Sequence, residues 1–226
     1  MMGAVFSSPA TLPFVLLLLL LLGGLVVLVE LEVLAYAYRK IGVKPPYVFA
    51  VLLLTLLGSH VNIPLYSIPV QRLVPPQELS RFGRTYVVPP AIEAGRSIVA
   101  VNVGGALIPV LVSLYLVGRF RMYGRMGVGV AVVALLVNSL ARIVPGVGIA
   151  VPTLLPPLAA AGVGLLVAFR RAPPVAYVSG SMGVLVGADL MNLGRITELG
   201  APIVSIGGAG TFDGVFLTGI IAGLLA

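Results

Sequence analysis

The chain has 226 residues, is 59% hydrophobic and 9% charged, and carries a net charge of +7, with a mean hydropathy of +1.15. These values exclude an ordinary soluble domain and indicate a multi-span α-helical protein whose expected partner is the lipid bilayer. With no Cys and one His, disulfide and thiolate chemistry are excluded, and a zinc site of the usual spacing finds no support.

The apolar runs lack the alternation of a membrane barrel. The arginines fall between those runs, so the basic balance reads as membrane topology and not as nucleic-acid binding. There is no P-loop or dinucleotide fingerprint and no Gly-x-Ser-x-Gly elbow, so neither a cofactor nor a metal is expected.

Residues 12–37 form the first predicted span, with an unbroken leucine run at 16–22. It reads as retained and not as a cleaved leader, because residues 1–11 hold no Lys or Arg and the apolar run is too long. Glu30 and Glu32 near its end have Arg39, Lys40 and Lys44 as neighbours to pair with. Pro45-Pro46 opens the second span, 46–69, which carries His60, Asn62 and Pro64. Residues 70–96 are the one long polar connection. Its alternating segments IPVQRLV and RTYVV suit two short strands, a small hairpin over the membrane face.

The third span, 97–118, holds Asn102, Gly104, Gly105 and Pro109, the marks of an interrupted helix. The fourth covers 127–146 and the fifth 153–169, the fifth ending at Arg170-Arg171. Pro173-Pro174 leads into the sixth, 175–193, with Asp189 and Asn192. The last segment, 201–226, is broken by Gly207, Gly208 and Gly210, with Thr211 and Asp213 just after the break. A helix from Asp213 onward is only about 21 Å long, against a bilayer core of roughly 30 Å. The break and the acid therefore fall inside the membrane.

This gives an all-α membrane protein of about seven transmembrane helices, several of them interrupted. The first, third and fifth connections hold eight Lys and Arg against six on the alternate side, which favours the N-terminus out and the C-terminus in. Two local likenesses suggest a 3+1+3 parallel repeat. VNVGGA at 101–106 resembles VSIGGA at 204–209, and Gly58-Ser59-His60-Val61-Asn62 resembles Gly187-Ala188-Asp189-Leu190 with Asn192 beyond it. Paired glycine- or proline-broken spans point to a central binding site between halves. Residues 183–187 offer small faces for packing within or between subunits.

Asp189 and Asp213 are the leading site residues, with His60, Asn62, Asn102, Asn192 and Thr211 as polar lining. An acid within the membrane is a functional-site hypothesis by default, so the expected activity is transport, or the binding of an ion, proton or small solute. Two aspartates on adjacent spans also suit an intramembrane aspartyl peptidase, in which one acid keeps a proton while the other activates water. Those enzymes carry Gly-x-Gly-Asp, whereas this chain reads Gly210-Thr211-Phe212-Asp213 and has no Pro-Ala-Leu span after it. A structural or regulatory membrane component is the third class.

The segments AVNVGGALIPVLVSLYL, GADLMNL and SIGGAGTFDGVFLTGI together resemble an uncharacterised family of archaeal and bacterial integral membrane proteins, catalogued as a domain of unknown function (number sixteen-fourteen). The resemblance implies a compact multi-span protein of a prokaryotic cell membrane and supplies no activity.

Overall fold

The computed structural model describes residues 11–74, 77–81, 84–88, 91–144, 148–208 and 214–226. Among them the chain is mostly helical, with α1 (Thr11–Ile41), α2 (Pro45–Gly58), α3 (Ile108–Phe120), α4 (Tyr123–Leu140), α5 (Leu155–Ala168), α6 (Ala172–Val184) and α7 (Gly214–Leu225). Among the described residues, four helical runs are long and apolar enough to cross a membrane: Pro13–Ile41, Val103–Phe120, Tyr123–Leu140 and Leu155–Thr197. The last run is not one rod. It folds back through a 3₁₀ turn at Phe169–Arg171, so that Gly164 of α5 lies against Ala172 and Ala176 of α6.

Prolines set the helix starts. α2, α3, α5 and α6 each carry Pro in the first two positions, where a missing N–H costs nothing and the fixed φ already suits a helix. α6 is the central element and is buried along most of its length. It and the turn after it reach α4 through small residues: a Cβ at Gly183 would strike Val133, and one at Gly187 would overlap the Ala134 backbone. Small residues let the helix backbones approach this closely.

The helix joints gather at one end of the bundle. Gly223 of α7 meets Ile41 of α1 and the Pro173 carbonyl of α6, Lys40 Nζ donates to the Leu224 carbonyl at 2.6 Å, and Arg119 donates to the Gly42 carbonyl. This is the basic end. α1 joins the body only here, through Ala37, Tyr38 and Ile41, while residues 14–33 expose most of their leucines and valines. The expected pairing beside Glu32 forms with Arg39, at 3.7 Å.

At the opposite end the backbone leaves the helical state, and here the expected span limits need correction. Residues 46–69 do not make one helix: α2 stops at Gly58 and β1 (Asn62–Val74) follows. A Cβ at Gly58 would touch Val103 and the Gly104 nitrogen, so the next segment crosses hard against the helix end. Pro64 therefore does not break a helix. It lies in an edge strand, where a missing N–H is tolerated, at a bulge that shifts the register between Pro64 and Tyr66.

The start of span three is likewise extended. β4 (Ala91–Asn102) pairs antiparallel with β1, from Asn62 opposite Asn102 to Val74 opposite Ala91. Apolar β-branched runs such as residues 98–101 do not by themselves distinguish strand from helix. β2 (Gln77–Arg81) and β3 (Arg84–Val88) form a second antiparallel pair within 70–96. β5 (Arg142–Val144) and β6 (Gly148–Ala150) pair beyond α4. β7 (Ile203–Ile206) joins β4 in parallel, Ile98 opposite Ile203 and Val101 opposite Ile206, giving the sheet order β1-β4-β7.

Candidate functional site

The sheet brings the two glycine-rich breaks together. After β4 the chain enters a π-helical turn, Val103–Leu107, and then α3. Asn102 fastens this junction. Fully buried, it donates from Nδ2 to the Ser59 carbonyl at 2.7 Å and to Asn62 Oδ1 at 3.1 Å. Its Oδ1 accepts from Gly105 N at 2.7 Å, capping the turn. Ile108 N donates back to the Val103 carbonyl, and Pro109 falls in the first turn of α3. Gly104, Gly105 and Pro109 thus start a helix and do not interrupt one.

Both glycines are required by close approach. A Cβ on Gly104 would overlap the Thr55 carbonyl and the Ser59 nitrogen, and one on Gly105 would overlap the Gly207 carbonyl oxygen. The second break, after β7, is built differently. Gly207 and Gly208 have φ of 85° and 79°, values an L side chain rarely adopts, and Gly207 is wedged against Ala106. The group that holds it comes from another segment: Asp189 Oδ2 accepts from Gly207 N at 2.7 Å.

Asp189 closes a π-helical turn, Leu185–Asp189, at the end of α6, and a 3₁₀ stretch, Leu190–Leu199, follows. Asp189 and Ser205 both line a cavity of about 440 Å³ whose other walls are mostly apolar, among them Ile149, Val184, Leu193 and Val215. Ser205 Oγ donates to Asn62 Oδ1 at 2.5 Å, so the cavity wall is tied to the Asn102 cluster. A carboxylate in a mostly apolar chamber can exchange a proton or hold a cation or a donor-rich solute.

The sequence-predicted residues divide. Asn62, Asn102, Gly105 and Gly207 converge at the paired breaks, with Asp189 beside them. Asn192 is buried one turn past Asp189 and donates to the Gly187 and Ala188 carbonyls at 3.1 and 2.9 Å, and to Asn138 Oδ1 at 3.2 Å. It ties the unwound stretch to α4. His60 is exposed, its Nδ1 3.2 Å from the Leu56 carbonyl, and does not line the cavity. Gly210, Thr211 and Asp213 lie outside the described residues.

Ser205 and Ser59 were not read as site residues. The signal for Ser205 was in the chain, since it aligns with Asn102 in the VNVGGA and VSIGGA likeness. In the sheet the two motifs are offset by two residues, because Val101 lies opposite Ile206 and not Val204.

Residues 56–225 match the sequence model of a family described as protein of unknown function (DUF1614). The chain belongs to this family. The matched range begins in the last turn of α2, takes in both breaks and the cavity, and leaves α1 outside. No curated protein and no solved structure matches the chain.

Proposed function

We propose that this chain is a membrane transporter or an ion- or proton-binding protein of seven membrane segments, with the Asp189 carboxylate as its working group and Asp213 as the second acid. The observation that carries the reading is that Asp189 faces a cavity of about 440 Å³ while holding Gly207 N at 2.7 Å, where two segments are unwound. A carboxylate held at membrane depth costs at least about 2.5 kcal/mol and marks function by default. Unwound backbone supplies further polar groups for a solute or ion, as in transporters with discontinuous helices.

α2 and α7 are about 21 and 18 Å long, and each reaches membrane thickness only with its adjoining extended segment. Counting them, with α5 and α6 apart, gives the seven segments. Two parallel strands, β4 and β7, each followed by a glycine pair and a helix, support the 3+1+3 repeat. The basic end would face the cytoplasm.

Proteoliposomes of the full chain, loaded with a pH-sensitive dye, test the reading. An imposed membrane potential should drive proton entry above that of empty liposomes, and Asp189→Asn should abolish the excess. Equal flux through wild type and variant removes Asp189 from the mechanism. No excess flux in the wild type, under proton and monovalent-cation gradients alike, overturns transport of these ions.

A further inference from the structure

A second cavity, of about 450 Å³, lies between α2 and α3, lined by Tyr47, Ala50 and Leu54 on one side and Leu111, Val112 and Tyr115 on the other. The two helices are pinned at both ends. Gly58 sits against Val103 and Gly104, and Arg119 ties α3 to the Gly42 carbonyl ahead of α2. Between these pins, the small side chain of Ala50 leaves the facing stripes apart. Leu54 and Leu111 are 54% and 52% exposed, so the slot opens sideways from the bundle.

An apolar slot does not hold water, and leaving it empty forfeits the dispersion contacts of its walls. In a bilayer the filler at hand is an acyl chain. The basic end adds selectivity. Lys44 is exposed and stands between Val43 and Tyr47, both of which line the slot. Tyr115 takes a hydrogen bond from Arg119 at 2.8 Å, which places a second cation beside the same mouth. Tyrosines and basic side chains at one level are the usual furniture of a headgroup layer.

We propose that the α2–α3 slot is a binding site for an anionic phospholipid, one acyl chain lying between Ala50 and Leu111 and the phosphate resting on Lys44. Native mass spectrometry of the full chain in detergent, titrated with phosphatidylglycerol or phosphatidylcholine, tests this. The wild type should retain one phosphatidylglycerol in preference to phosphatidylcholine. Lys44→Gln, an exposed change, should weaken phosphatidylglycerol alone by about fivefold, the worth of one basic side chain at an anionic surface. Ala50→Trp fills the slot and should weaken both lipids. Leu111→Trp does so from the other wall if the first variant fails to fold. Equal retention of the two lipids by the wild type overturns the headgroup assignment. Undiminished lipid in a folded slot-filling variant overturns the site. A dimer that these variants dissociate assigns the slot to a second copy.

Discussion

At Gly104-Gly105 the chain passes from β4 into α3 through a π-helical turn capped by a neutral amide, and every hydrogen-bonding arm of that amide that the structure defines points to a fixed protein group. At Gly207-Gly208, after a nearly identical motif, the chain leaves β7 with two positive φ angles and is held by a carboxylate beside a cavity. The first junction is closed by its own strand residue; the second depends on a side chain from the π-helical turn after α6. A neutral amide with its bonds made has no reason to exchange with a solute. A carboxylate can trade its charge for a proton or a cation. The likeness of the two motifs therefore hides a division of labour, with one break as anchor and the other as candidate working site.

Adding a methyl at the point where the breaks touch is expected to do the most damage. Gly105→Ala puts a Cβ into the Gly207 carbonyl, a backbone atom that cannot swing aside, and should cost about 3 kcal/mol, read as lost folded protein by size exclusion or thermal unfolding. Next comes the anchor. Asn102→Ala strands buried partners at Ser59 and Gly105 and should cost about 2 kcal/mol in the same assay. Asn102→Asp should be worse than Ala, because a carboxylate has no N–H to donate to the Ser59 carbonyl and brings a buried charge. That order, acid worse than alanine at the first break and acid native at the second, is the sharpest check on the contrast.

Asp189→Asn keeps an oxygen for Gly207 N and should shift stability by only about 1 kcal/mol while removing the flux assigned above. A loss of folding as large as that of Asn102→Ala would make both breaks anchors and erase the distinction. Ser205→Ala removes the tie to Asn62 and should also cost about 1 kcal/mol, with flux altered only if the cavity wall moves. The smallest change is Gly118→Ala on α3, where a Cβ meets no atom. Stability should hold or rise, by at most about 1 kcal/mol of helix propensity, read as an unchanged or higher melting temperature.

Much of the bundle was legible because proline punctuates it: Pro45-Pro46 and Pro173-Pro174 lie at helix starts, and the arginines mark the joints, whereas Pro109, expected to interrupt a helix, begins one. What the sequence concealed was the change to extended backbone near Asn62 and before Asn102. A run such as SIVAVN is equally apolar as strand or helix, and its state is decided by a partner strand far along the chain. Residues 70–96 alternated clearly enough to read as strands, but nothing in them showed that the pairing continues back to Asn62 and forward to Asn102. At the site, Asp189 stood out as an acid in an apolar span. Asn102 stood out equally, yet only its bonding partners separate an anchor from a binding group. Ser205 was marked only by its alignment with Asn102 in the VNVGGA and VSIGGA likeness.

The contact between Lys40 and the Leu224 carbonyl spans 184 positions of sequence. α1 is made early, yet two of its docking partners, Tyr177 on α6 and Gly223 on α7, come late in the chain. The contacts of α1 with α2 can form at once, but the latch on α7 closes only when that helix arrives. Shortening the chain within α7 should remove the Lys40 and Ile41 contacts of α1, so a defect introduced at the last helix would show itself at the first.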